Sequence, residues 1–262
     1  MLIVDRVSVA SEKMAVAGFS HRDSAHRRPL WDALAAGCRA IEVDVWLRDG
    51  RLLVGHDEDE LDPLRSLDSD YLRPLAKLAG DGALLSGDDE PLILVLDVKT
   101  PARRTWRRIE AELAPYDGVL TRWENGLPNP GAVIVLVSGN RAVRTMARQR
   151  IRLAAVDGRL PDLRRRWPRA LLPSALVPMV SADWTRTLRW DGIGPVPPRV
   201  HRRLTGMVAK AHRGGRTLRF WATPDAPGPQ RRAVWSLLRS AGVDYLNSDD
   251  LPALAAFLTG SD

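Results

Sequence analysis

Apolar runs of strand length recur along this chain, and most are followed by a stretch with helical spacing of apolar residues. The runs MAVAGFS (14–20), PLILVLDVK (91–99), AVIVLVS (132–138), RLAAVD (152–157), LVPMVS (176–181), LRFWA (218–222) and VDYLN (243–247) each predict a strand. Their near-continuous apolar character is that of strands buried on both faces, as in a parallel sheet. The strand beginning at Ala40 is different. Ile41, Val43 and Val45 alternate with Glu42, Asp44 and Trp46, so two carboxylates share one strand face. Asp49-Gly50 turns the chain, and a second extended run ends at His56-Asp57. Helices are predicted from Pro29 to Ala36, Pro101 to Leu113, Pro198 to His212, Gln230 to Ala241 and Leu251 to Leu258, with shorter ones after Asn140 and around Leu163.

Eight strand–helix units predict an α/β fold, a closed (β/α)8 TIM barrel forming a single domain over residues 1–262. A doubly wound open sheet is the alternative, but the Gly-rich dinucleotide turn is absent after the first strand. Residues 1–13 read as an extended arm. Residues 58–90 read as an acidic, Leu-rich loop with one or two short helices, not a second domain.

Composition adds limits. A hydrophobic content of 45% supports a full core. The net charge of +7 and pI near 10.2 permit attraction to phosphates. The basic residues are spread out, with only short clusters such as Arg164 to Arg166, so an arginine bias explains the charge better than nucleic-acid binding does. The single cysteine, Cys38, rules out an intrachain disulfide and is expected to pack in a helical run. No apolar span is long enough to cross a bilayer and no leader pattern opens the chain, so a cytoplasmic protein is expected. A mature secreted form would read the same way.

In a barrel, chemistry gathers at the C-terminal ends of the strands. His21 and Arg22 follow the first strand, Glu42 and Asp44 lie in the second, and His56 ends its extension. Asp97 and Lys99 end the third, Ser138 and Asn140 the fourth, Asp157 the fifth, and Trp221 lies late in the seventh. Three carboxylates can hold one divalent cation, which neutralises a phosphate and polarises its oxygen. Two histidines can serve as general base and general acid. Arg22 and Lys99 can stabilise charge on non-bridging oxygens; the only other lysines in this arginine-rich chain are Lys13, Lys77 and Lys210. Trp184 and Trp221 are the tryptophans expected to line a pocket. His26 and His201 read as surface residues and His212 as a helix-end residue. The chemistry these groups predict is one-metal cleavage of a small phosphodiester.

These motifs resemble a known family. His21-Arg22, Glu42-Val43-Asp44, His56-Asp57 and Asp97-Val98-Lys99 resemble the glycerophosphodiester phosphodiesterases of the phospholipase C-like phosphodiesterase superfamily, as does the closing GVDYLNSDD (242–250). The run RPLWDALAAGCRAIEVDVWLRDGRLLVGHD (28–57), with VSGN (137–140) and RFWATPD (219–225), resembles the branch containing the fungal altered-inheritance-of-mitochondria type proteins. The resemblance implies a (β/α)8 barrel and one Mg2+ or Ca2+ ion on Glu42, Asp44 and Asp97. It also implies acid/base roles for His21 and His56, and a small or lipid-derived phosphodiester substrate. The chain departs from the family at Asp23, where glycine is usual, at Asp97, where glutamate is usual, and in a reduced insertion between Asp57 and Pro91. A close variant is a lyase-type reaction ending at a cyclic phosphate; alternatives of other kinds are a barrel that binds a phosphorylated ligand or anionic partner without turnover, and a sugar-phosphate isomerase.

Overall fold

Eight parallel strands run side by side in chain order and the last closes on the first. They are β1 (Ala17–Ser20), β2 (Cys38–Arg48), β3 (Leu92–Val98), β4 (Val133–Gly139), β5 (Ala154–Arg159), β6 (Met179–Asp183), β7 (Thr217–Trp221) and β8 (Tyr245–Ser248). This computed structural model describes residues 16–84, 90–163, 166–167 and 170–261. The predicted N-terminal arm, Met14 and Ala15 of the first run, and Arg164 and Arg165 of the basic cluster fall outside them.

The helices are α1 (Trp31–Ala35), α2 (Arg73–Gly80), α3 (Ala102–Leu113), α4 (Val143–Met146), α5 (Trp184–Thr187), α6 (Pro198–Arg213), α7 (Pro229–Ala241) and α8 (Leu251–Thr259). The predicted basic helix after Asn140 is only the four residues of α4, and the one near Leu163 is a single tight turn (Leu160–Leu163). Cys38 is buried as expected, but it opens β2 and is not helical.

Alternation along each strand builds two apolar layers. Ile41, Val43 and Val45 of β2 and Leu92, Leu94 and Leu96 of β3 face outward, where they pack with Trp106, Leu204 and Trp235 of the helices. Residues such as Leu94 are fully buried; truncating one to alanine in such a core costs about 2–5 kcal/mol. Inside the barrel lie Phe19, Ala40, Ile93, Val95, Leu136, Ala155, Met179 and Tyr245. Trp123 joins this inner cluster from a small antiparallel sheet (Arg122–Glu124, Leu127–Asn129, Ile151–Arg152) that precedes β4 and β5, so it plugs the N-terminal end of the barrel. Arg152 stacks on its ring at 5.2 Å.

The long strand β2 runs past its neighbours and pairs antiparallel with Arg51–Val54. The two-residue connection, Asp49 and Gly50, has φ of 47° and 76°. That is the left-handed pair a tight hairpin requires, and Asp-Gly supplies it at little cost. The hairpin brings the chain back to the barrel mouth at His56. Among the described residues no helix is long and apolar enough to cross a membrane.

Candidate active site

The mouth of the barrel begins where inward positions change from apolar to ionisable. On β2 the inward series is Ala40, Glu42, Asp44; on β3 it is Ile93, Val95, Asp97. Asp44 and Asp97 are register partners, and one carboxylate oxygen from each of Glu42, Asp44 and Asp97 lies within 4.8 Å of the others. Glu42 accepts a hydrogen bond from the Arg22 backbone N–H at 2.8 Å. Burial, then the charge of Asp44, pushes the Glu42 carboxyl up from 4.5 to about 8, against the pull of Arg219.

Lys99 Nζ lies 2.7 Å from Asp44 Oδ1 and 3.0 Å from Asp97 Oδ2. Burial disfavours its ammonium, but the hydrogen bond to Asp44 and the charge of Asp97 outweigh that and raise its pKa. The other oxygen of Asp44 meets His56 Nδ1 at 3.1 Å. The Gly55 N–H reaches the Asp44 carbonyl at 3.3 Å. Asp57 and Glu60 cap the following turn reciprocally, and Glu60 Oε2 accepts the His56 N–H at 3.2 Å. The histidine backbone is therefore tied on both sides.

His21 emerges from β1 with its N–H on the Ser248 carbonyl at 3.1 Å and its Nδ1 2.7 Å from Asp249 Oδ1. Burial would raise the Asp249 pKa, but the His21 hydrogen bond overrides it and lowers the value. Arg22 takes a left-handed backbone, φ 48° and ψ 44°, which costs a non-glycine residue about 1–2 kcal/mol and puts its N–H on Glu42. Its Nε is buried with no hydrogen-bond partner among the described residues. Asp23, where the resembling family has glycine, faces into the protein. It accepts from Ser20 Oγ at 2.7 Å, Leu30 N–H at 2.6 Å and Tyr71 O–H at 2.9 Å. It braces the loop and takes no part in the cluster of Glu42, Asp44 and Asp97.

The carboxylate set fits a hard divalent cation such as Mg2+ or Ca2+. The backbone leaves it room: a Cβ on Gly139 (φ +61°) would lie 1.9 Å from Asp97 Oδ1 and 2.5 Å from the Val98 carbonyl. Asn140 fixes the same corner, its side-chain amide donating to the Lys99 carbonyl at 3.0 Å.

The polar ring continues around the barrel. Ser138, the register partner of Asp97, donates to Asp157 Oδ2 at 2.9 Å, and Ser181 donates to Asp157 Oδ1 at 2.8 Å. Burial raises the Asp157 pKa, and the Arg219 guanidinium opposes this. Trp221, 39% exposed, lines a cavity of about 290 Å3 with these three residues. Trp184 is buried, with its ring edge-on to Phe220 at 5.6 Å, and lines a separate cavity of about 400 Å3 with Trp190 and Pro224.

The sequence reading missed two residues. Arg219 is buried inside the barrel, donating to Asn247 Oδ1 at 2.9 Å and lying 3.7 Å over the Phe19 ring. Its only signal is a lone charge in an apolar strand. Asp249 stands in the NSDD run but carried no assigned role. His212 pairs with Asp244 at 2.9 Å, at the opposite end of β8 from the mouth; His201 is exposed, whereas His26 is half-buried.

Comparisons with known proteins agree with this architecture. A family model described as AIM6-like phosphodiesterase domain matches residues 7–86, and one described as glycerophosphoryl diester phosphodiesterase family matches residues 217–252. The chain is 29% identical over 278 residues to altered inheritance of mitochondria protein 6 of Eremothecium gossypii, an alignment covering 91% of this chain and 68% of that protein. It is 28% identical over 245 residues to the homolog from Arthroderma benhamiae, covering 86% and 76%. Among solved structures, a Ca2+-dependent phosphatidylinositol-specific phospholipase C from Streptomyces antibioticus superposes with a TM-score of 0.59 at 14% identity, covering 93% of this chain and 95% of that one. At that identity the likeness is one of fold.

Proposed function

Because the chain is a relative of the altered-inheritance-of-mitochondria type phosphodiesterase-like proteins, we propose that it is a metal-dependent phosphodiester hydrolase using His21 and His56 as its acid/base pair. One observation carries the reading. A cluster of three convergent carboxylates is flanked by two histidines, each anchored through Nδ1 to a carboxylate. An Nδ1 held this way leaves Nε2 as the ring nitrogen for proton transfer. One histidine removes the proton from the attacking water or hydroxyl, and the other protonates the departing alkoxide. Glu42, Asp44 and Asp97 would hold one Mg2+ or Ca2+. When bound, the ion supplies charge neutralisation and polarisation at the phosphoryl oxygens. Lys99 and Arg22 add positive charge beside those oxygens, and Trp221 lines the space where a substituent of phosphorus would lie.

The substrate we infer is a glycerophosphodiester-like or other small, lipid-derived phosphodiester. The active unit is taken as one barrel domain over residues 1–262, in a cytoplasmic setting, with a small molecule and not nucleic acid as its partner. The test is hydrolysis of bis(p-nitrophenyl) phosphate and glycerophosphodiesters after EDTA treatment, then with added Ca2+, Mg2+ or Mn2+. Metal-restored turnover that His21→Ala and His56→Ala abolish is expected. Near-wild-type activity in either variant refutes the acid/base assignment, and absence of turnover with every metal refutes the reaction class.

A further inference from the structure

A cavity of about 830 Å3 lies outside the barrel, between the Leu160–Leu163 turn and the exposed face of α6. None of His21, Glu42, Asp44, His56 or Asp97 lines it. Leu160, Pro161 and Leu163 make one wall apolar. Arg203, Met207 and Lys210 stand on the other, spaced so that they share one helix face. The charges of this lining do not cancel. No Asp or Glu occurs from Gly192 to Trp221. Among the described residues Arg202, Arg203 and Lys210 have no carboxylate partner. Asp162, the one acid of the lining, is buried and already committed: it accepts the Arg159 N–H at 2.9 Å and the Arg141 guanidinium at 3.2 Å. Gly206 also lines the cavity. A glycine inside a helix weakens it, and a Cβ at this one would meet nothing within 4 Å. Packing within the chain therefore does not call for a glycine here, and the space it leaves belongs to the cavity.

We propose that this groove is a binding site for a single-chain anionic amphiphile, a fatty carboxylate or a monoalkyl phosphate. Its chain lies against Leu160, Leu163 and Met207, and its head group among the cations of α6. Size decides for a small molecule over a macromolecule. The volume falls inside the range of about 300–1,000 Å3 for small-ligand pockets, whereas a protein partner covers roughly 20–30 residues. Charge decides the head group, because unpaired guanidinium and ammonium groups attract a carboxylate or phosphate and repel a cation. The apolar wall decides the tail, since neither inorganic phosphate nor a short polar anion would cover Leu160, Leu163 and Met207. The groove is independent of the carboxylate cluster, so the inference does not depend on the hydrolase reading.

Methyl-labelled methionine NMR on the full chain in EDTA tests this without turnover. Met207 lines the groove and reports on it, while Met179, inside the barrel, reports on the mouth side. Dodecyl phosphate or laurate, kept below its micelle concentration, is expected to shift the Met207 methyl saturably and to leave Met179 in place. Saturation by either head group supports the proposal. Each buried methylene contributes about fourfold in affinity, so octyl phosphate should bind at least about tenfold more weakly than dodecyl phosphate. Inorganic phosphate and dodecyltrimethylammonium should give no saturable shift. Reversing the charges in Arg202→Glu/Arg203→Glu/Lys210→Glu should weaken binding at least about tenfold. Gly206→Leu should abolish it by filling the groove, with the melting temperature maintained because the new side chain has open space and α6 loses a glycine. An unmoved Met207, equal binding of the cationic amphiphile, or unchanged affinity in both variants overturns the proposal. So does binding to phosphatidylglycerol vesicles without any shift from the monomeric amphiphiles, which would make α6 a membrane contact instead.

Discussion

Glutamine in place of Glu42 would test the electrostatics of the site directly. In the metal-free protein the Glu42 carboxyl is pushed from 4.5 to about 8 by burial and by Asp44. Below pH 4.5 the side chain is protonated in folded and unfolded chains alike. Between pH 4.5 and 8 the folded protein keeps a proton that the unfolded chain releases, so stability falls as pH rises through that window. At about 1.36 kcal/mol per pH unit, the ionised side chain costs the metal-free fold on the order of 5 kcal/mol by pH 8. Glu42→Gln is isosteric, and its amide oxygen can still accept the Arg22 N–H. In EDTA the variant should match the wild type near pH 5 and exceed it at pH 8. The gain in Tm should approach about 10–20 °C, since 1 kcal/mol shifts a chain of this size by about 2–4 °C. Added Ca2+ or Mg2+ should reverse the order. The wild type gains stability and releases close to one proton per ion at neutral pH, whereas the variant gains little. Thermal melts across pH, and titration calorimetry in buffers of different ionisation enthalpy, measure both. A wild-type minus variant difference that stays flat from pH 5 to 8 would refute the reasoning.

Gly139→Ala should abolish metal-dependent stabilisation in melts, because the new methyl would occupy the place of Asp97 Oδ1; the left-handed backbone adds about 1–2 kcal/mol of destabilisation. Lys99→Met leaves Asp44 and Asp97 without their shared cation. Since Lys99 is one quarter exposed, the expected loss is about 2–3 kcal/mol in EDTA, below the 3–5 of a fully buried pair, with divalent ions restoring much of it. Asp249→Asn should lower kcat with KM little changed, because His21 Nδ1 loses the carboxylate that orients its ring; an unchanged kcat would mean that Asp249 does not position His21.

The parts of the site legible in the sequence were those written within one strand. Glu42 and Asp44 share a face because they are two residues apart, and Asp97 and Lys99 stand out at the end of an unbroken apolar run. The eight-unit count was readable for the same reason, since each buried strand announces itself. What stayed hidden depends on how strands are laid side by side. Arg219 was visible as a charge in LRFWA, but the linear chain does not say that it lies over Phe19 and beside Asn247. Asp23 reads as a change at the mouth, yet its partners are Ser20, Leu30 and Tyr71, the last of them 48 residues away. Cys38 was assigned to a helix because alanines surround it, and strand pairing overrode local propensity there.

The pairing of His21 with Asp249 spans 228 residues of sequence and bridges the seam where the last strand meets the first. This contact and the His21 N–H on the Ser248 carbonyl exist only in a completed circle, whereas those that join Asp44, Asp97, Lys99 and His56 can form inside a partial sheet. On the proposed mechanism, proton transfer at His21 is therefore also a readout of ring closure. A chain stopped before β8 would carry the carboxylates, Lys99 and His56 in adjoining strands and still lack an oriented first histidine. On the same mechanism, an incomplete barrel, stalled during synthesis or trimmed at its C-terminus, would keep the carboxylate cluster and lose the oriented histidine needed for cleavage.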